Sequence, residues 1–264
     1  MSELPRWQTL PQPSSMPRPD EEGYAPVNGI RMYYAVFNAG GADPVILLHG
    51  GMGTAENWGN QIPALIGRHR VIVTDGRGHG RSTRTSAAFS YRLMASDVIA
   101  LLDQLGVARV AVVGWSDGGI VALQIAISAP ERVSRLWVDG ANSNPAGFKD
   151  PGDLPILKIA GERALRDYKR LSQTPTDFLQ FRQEILAMWK TEPNFTPAEL
   201  ARIAAPTAIV APEHDEIVRR ENSEEMARLI PGARLIVLPG VSHFALLQDP
   251  SGYNTALTDF LDLV

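Results

Sequence analysis

The string Gly114-Trp115-Ser116-Asp117-Gly118 constrains this chain more than any other. The apolar run Val110-Ala111-Val112-Val113 precedes it, and the apolar run from Ile120 to Ile127 follows it. Strand, sharp turn and buried helix form the setting of a G-x-S-x-G nucleophile elbow. Glycines at 114 and 118 remove the Cβ atoms that would hold strand and helix apart, so the serine hydroxyl can stand at the strand tip. Ser116 also opens a helix, where unpaired N–H groups favour developing negative charge. A helix-capping serine in an ordinary strand-to-helix loop is the simpler alternative. The flanking glycines and the two apolar runs together favour a nucleophile.

A serine of this kind needs an acid and a base further along the chain, in the order Ser, Asp or Glu, His. Thr207 to Ala211 reads as a buried strand that empties into Pro212-Glu213-His214-Asp215. Arg234 to Leu238 reads as another, emptying into Pro239-Gly240-Val241-Ser242-His243-Phe244. Chemistry in open parallel sheets gathers at the carboxyl ends of strands. Asp215 is therefore the candidate acid and His243 the candidate base. Glu213, and Asp139 after the apolar Leu136-Trp137-Val138, compete for the acid; His214 competes more weakly for the base. Asp215 is preferred for its longer reach beyond its strand.

The oxyanion of a tetrahedral intermediate needs two N–H donors. One is expected on Asp117, directly after the serine. The other is expected in His49-Gly50-Gly51-Met52-Gly53, the loop after the strand Val45–Leu48, with Gly51 the first choice and Met52 the second. A plain glycine-rich turn is the alternative, set aside because of the loop's place upstream of the elbow.

These residues resemble the α/β-hydrolase superfamily over most of the chain, from about Gly23 to Val264. His49-Gly50-Gly51 looks like its oxyanion loop, and Asp75-Gly76-Arg77-Gly78-His79-Gly80-Arg81-Ser82 like its D-x-R-G-x-G-x-S turn. Asp215 and His243 fall where the superfamily keeps acid and base. Pro212-Glu213-His214-Asp215 departs from it, since many members carry a glycine three residues before the acid. Trp115-Ser116-Asp117-Gly118-Gly119 is similar to small esterases that include the valacyclovirase-like group. The resemblance implies a serine hydrolase acting through an acyl-enzyme, and the fold alone does not name its substrate.

The rest of the chain reads as an α/β fold: a mostly parallel sheet covered by helices on both faces, with an inserted helical cap. Gly23 to Phe37 reads as a hairpin turning at Asn28-Gly29. The strands Val45–Leu48, Val71–Thr74, Val110–Val113, Leu136–Val138, Thr207–Ala211 and Leu235–Leu238 are continuously apolar, as strands buried on both faces are. Apolar residues at helical spacing predict a helix over 91–105. The core is thus expected over 23–142 and 206–264. Between them, 143–205 shows no strand pattern and three helical ones. Two of these begin with Thr174-Pro175-Thr176-Asp177 and Thr196-Pro197-Ala198-Glu199, each with a threonine cap, proline in the first turn and an acid three after the cap. Most apolar residues of the cap should pack on the core. Met188 and Trp189, with Trp58 and Trp115 from the core, are the candidate pocket residues. Asp75, Arg77 and Ser82 are expected to stabilise their own turn, and His49 and His79 to be structural.

Residues 1–22 carry Pro5, Pro11, Pro13, Pro17 and Pro19 and lack the apolar stretch of a signal peptide. They read as an extended arm, disordered or lying on the surface, whose Leu4, Trp7 and Leu10 could pack on the body or on a second subunit; a loose tail is the simpler reading. A net charge of −4 with interspersed signs carries no footprint for nucleic acid. The sequence contains no cysteine, which removes disulfides, thiol catalysis and Cys-ligated zinc and fits a cytoplasmic protein. No apolar run approaches the roughly 20 residues of a membrane helix. No metal or organic cofactor is expected. The oligomeric state stays open, a dimer included.

The resulting expectation is hydrolysis of a small carboxylic ester or lactone by Ser116, His243 and Asp215. An amidase, a carbon–carbon bond hydrolase, a perhydrolase or a cofactor-free haloperoxidase could use the same residues, and a catalytically silent small-molecule receptor is the alternative of another class. The Asp117 carboxylate either favours the helix N-terminus or faces a positive group on the substrate.

Overall fold

The computed structural model describes residues 4–150 and 152–263. Residues 1–3 of the arm, Pro151 of the inserted segment and the terminal Val264 lie outside the described residues.

Asn28 and Gly29 both take positive φ, 43° and 80°, which matches the twist of a two-residue hairpin turn. They join β1 (Glu21–Val27) to β2 (Ile30–Phe37), paired antiparallel with Val27 opposite Ile30. The first strand thus begins inside the stretch read as the arm. The remaining strands are β3 (Ala42–Leu48), β4 (His69–Thr74), β5 (Val110–Trp115), β6 (Val133–Asp139), β7 (Thr207–Pro212) and β8 (Arg234–Leu238). They form one eight-stranded sheet in the order β1-β2-β4-β3-β5-β6-β7-β8. The pairs β1/β2 and β2/β4 are antiparallel and the rest parallel.

Side chains alternate between two apolar layers, one on each face of the sheet. Val45 and Leu47 pack on one side with α1 (Ile62–Leu65), and Ile46 and Leu48 on the other with α2 (Tyr91–Gln104) and α3 (Asp117–Ser128). That two-sided burial is why the central strands carry no polar alternation. At the sheet edge coverage thins, and Leu235 and Val237 of β8 are exposed, unlike the central strands.

Three helices occupy the connection from β6 to β7: α4 (Pro155–Leu171), α5 (Phe178–Trp189) and α6 (Pro197–Leu200). The capping box before α6 forms as its sequence predicts, with Glu199 N donating to Thr196 Oγ1 and Thr196 N donating to Glu199 Oε2. The start expected at Thr174 does not. The Thr174 hydroxyl is engaged by Tyr168 Oη and Ser172 Oγ, so 174–177 closes a turn and α5 begins at Phe178. Beyond β7 come α7 (Arg220–Leu229), α8 (Ala245–Gln248) and α9 (Pro250–Leu261), the last two packing on the α1 face.

The glycine-rich turn after β4 is a structural hub. Asp75 accepts from the amides of Ala55 and Arg81, and the buried Arg77 grips Asp97 of α2 with two bonds of 2.8 Å. His49 Nε2 accepts the Gly76 amide, and His79 Nδ1 pairs with the Arg77 carbonyl, so both histidines hold loops together. Burial lowers the pKa of each, and both stay neutral.

Candidate active site

The strand order reverses at β3 and β5, whose neighbours lie on opposite sides, and the crevice beyond their carboxyl ends is where such sheets take ligands. Two loops meet there: 49–53 after β3 and the elbow after β5.

The elbow is as tight as its sequence implies. A Cβ on Gly114 would lie 2.2 Å from the Gly118 carbonyl oxygen, and one on Gly118 would lie 2.1 Å from that of Leu48. Ser116 sits between them at φ 56°, ψ −122°, a conformation that costs about 1–3 kcal/mol for a non-glycine residue. Its amide donates to the Asp139 carbonyl at 2.7 Å, and its own carbonyl starts α3. The hydroxyl caps nothing.

The amides of Gly51, Met52 and Asp117 donate to no acceptor among the described residues. A Cβ on Gly51 would come within 2.5 Å of the Trp189 ring and 2.6 Å of Asp117 Oδ2, so those side chains would have to shift to admit one. Met52 holds a positive φ of 58°, which turns the loop back so that Gly53 N reaches the Gly50 carbonyl.

Asp215 stands three residues past β7. Its Oδ1 accepts from the amides of Ile217 and Val218, both at 2.8 Å, which locks the carboxylate plane. His243 Nδ1 lies 3.2 Å from Oδ1 and 3.1 Å from Oδ2. The ring proton belongs on Nδ1 in that setting, which leaves Nε2 as the basic nitrogen. The His243 amide donates to Glu216 Oε2 at 3.0 Å, and its carbonyl accepts Trp115 Nε1 at 2.7 Å. The imidazole lies over Gly140, where a Cβ would approach it to 3.1 Å. Gly140 follows Asp139, whose carbonyl holds the Ser116 amide, so elbow and histidine share one rim. No hydrogen bond joins the Ser116 hydroxyl to His243 among the described residues.

Burial by itself would push the His243 pKa down. The charge and hydrogen bond of Asp215 outweigh it, with help from Glu216, and raise it to about 9. Asp139 is fully buried, and neither carboxyl oxygen has a hydrogen-bond partner among the described residues. Burial pushes its pKa up to about 8, against the pull of His243, so it carries a proton at neutral pH. Of the other competitors, Glu213 Oε2 accepts the Gly240 amide at 2.7 Å and His214 stacks on Trp7.

The four candidate pocket residues separate. Trp115 lines a cleft together with Gly51 and Met52 of the 49–53 loop, Phe244, Ala160 and Arg163. Trp58 is fully buried in the α1 layer, because its helical turn points inward, and Met188 is buried among the apolar residues of α5; neither lines the cleft. Trp189 instead donates Nε1 to both Asp117 oxygens, at 2.9 and 3.0 Å, while Tyr91 Oη donates to Oδ1 at 2.9 Å. The Asp117 carboxylate thus ties the elbow to α5 and α2, a role absent from either sequence reading. Burial raises its pKa to about 6 despite those donors. Sequence reasoning also missed Glu216, Arg163 and Gln248, since single polar residues in loops and helices carry no pattern.

A serine at a strained elbow, an acid–histidine pair and amides without acceptors among the described residues thus meet at the strand ends. Residues 45–256 match the family model described as alpha/beta hydrolase family, and this chain belongs to that family. It is 30% identical over 263 residues to "Putative carbamate hydrolase RutD" of Pseudomonas savastanoi pv. phaseolicola, covering 88% of this chain and 99% of that one. Its fold matches the enol-lactonase from Burkholderia xenovorans with a TM-score of 0.74 at 22% identity, covering 91% of this chain and 100% of the other. It matches the meta-cleavage product hydrolase from Pseudomonas fluorescens with a TM-score of 0.77, also at 22% identity, over 92% and 98% of the two chains. Among the described residues no helix is long and apolar enough to cross a membrane.

Proposed function

We propose that the protein hydrolyses small carboxylic esters, lactones included, through an acyl-enzyme on Ser116. The observation that carries this reading is the His243–Asp215 pair, with the carboxylate fixed by two amides on Oδ1. Ser116 Oγ attacks the acyl carbon as His243 Nε2 takes its proton. The imidazolium formed keeps its Nδ1–H hydrogen-bonded to the Asp215 carboxylate, then gives its Nε2 proton to the leaving oxygen. The imidazole next activates water to release the acid. The Asp117 amide and that of Gly51, with Met52 as the neighbouring alternative, hold the oxyanion. The segment 143–205 acts as a cap on this site and the core spans 23–142 and 206–264.

The relative named as a carbamate hydrolase favours a second substrate class, carbamates, which differ from esters only in the nitrogen on the attacked carbonyl. A panel of esters, lactones and carbamates, with mass detection of an adduct on Ser116, tests both. Turnover without any adduct on that residue would overturn the mechanism.

The pH dependence follows from His243. The base must be neutral, and Asp215 raises its pKa above the ordinary value of about 6.5. The expected result is a kcat/KM that climbs through the neutral range and levels on the alkaline side, at a midpoint well above 6.5. A plateau already reached at pH 7 would contradict the ion-pair geometry.

A further inference from the structure

The proline-rich arm is held against the body from Trp7 to Ser14. Trp7 stacks on His214, the neighbour of Asp215, with ring centroids 4.8 Å apart. The buried Gln248 amide donates to the carbonyls of Thr9 at 2.8 Å and Trp7 at 3.3 Å. Its oxygen accepts the amide of Ser242, the neighbour of His243, at 2.6 Å. Arg163 of α4 forks onto two consecutive arm carbonyls, Leu10 at 2.8 Å and Pro11 at 2.9 Å. Farther along, the Ser14 amide donates to Asn60 Oδ1, and its carbonyl sits where any side chain at Gly59 would collide. A loose tail is therefore replaced by a strap. The prolines explain why ordering it is cheap: they restrict φ before the arm binds.

The strap runs beside the acid and base loops and places one apolar side chain in the cleft. Leu10 lines it together with Gly51 and Met52 of the 49–53 loop and with Trp115 and Phe244, the chain neighbours of Ser116 and His243. Its backbone carbonyl is held by a buried guanidinium, so this wall is fixed by the fold. We propose that Leu10 is a specificity-determining residue, closing the cleft and setting how long an apolar group the substrate can carry. The inference rests on the acyl-transfer reading of Ser116.

The test is a series of fluorophosphonates with alkyl chains from ethyl to decyl, applied to the full chain and read as the rate of Ser116 adduct formation by intact mass. The serine oxygen bonds to phosphorus, fluoride leaves, and His243 takes the proton. Two variants bracket the effect. Leu10→Ala lengthens the cleft and raises the ratio of long-chain to short-chain labelling about tenfold, the worth of roughly two more buried methylenes. Leu10→Trp shortens the cleft and lowers that ratio below wild type. A merely structural role, in which either change loosens the strap, moves both variants the same way and overturns the inference, as does an unchanged ratio in Leu10→Ala. Absence of labelling in every protein overturns the nucleophile reading and this inference with it.

Discussion

Ser116→Ala is expected to lower kcat by about 10⁶-fold while leaving the fold intact, the usual cost of losing a triad nucleophile. Both halves of that expectation come from the elbow. The hydroxyl caps no helix, so its removal orphans no partner and should leave the melting temperature near wild type. The strained backbone at φ 56° is shared by serine and alanine, so it does not separate them. Circular dichroism and thermal unfolding establish the fold; steady-state kinetics on the best ester or carbamate of the panel give the rate. A folded variant with near-normal turnover would remove Ser116 from the chemistry.

Asp215→Asn is expected to cost about 10⁴-fold in kcat, and Asp139→Asn far less. The geometry around Asp215 dictates the reason. Its Oδ1 accepts two amides, so the carbonyl oxygen of an asparagine would keep that place and put its NH₂ where Oδ2 stands, 3.1 Å from His243 Nδ1. Nδ1 would then have to accept, the ring proton would move to Nε2, and the base would face the serine already protonated. Removing the Asp215 charge should also bring the midpoint of the pH profile down, because that charge opposes the effect of burial on His243. Asp139 presents the opposite case. Burial keeps it protonated at neutral pH, so an amide is close to a neutral replacement there. The two variants are compared by kcat and by pH profile. The reverse ranking would move the acid to the end of β6.

The relation between the two acids shows where reading by sequence stops. Both follow apolar strands that end at the same rim of the sheet, and both are buried near one histidine. Position along the chain favours Asp215 through its loop length; what sets it apart in three dimensions is two amides on Oδ1 and a histidine ring nitrogen 3.1 Å from Oδ2. Pocket residues divide in the same way. Aromatic and thioether side chains look alike in a sequence whether they fill a core or line a cleft, and Trp58 and Met188 went to packing while Leu10, from a stretch that reads as a tail, went to the cleft wall.

What the sequence by itself determined is local or periodic. The elbow needs glycine at 114 and 118 because backbone meets backbone within a few residues, the hairpin needs Asn28-Gly29 because both residues take positive φ, and the buried strands announce themselves as unbroken apolar runs. What only the tertiary structure decided depends on partners distant in the chain. The bonds from Trp189 and Tyr91 to Asp117, the grip of Arg163 on the arm and the link through Gln248 join segments 26 to 241 residues apart. A single polar side chain carries no period and no local steric demand, so its partner emerges only when the sheet brings the loops together.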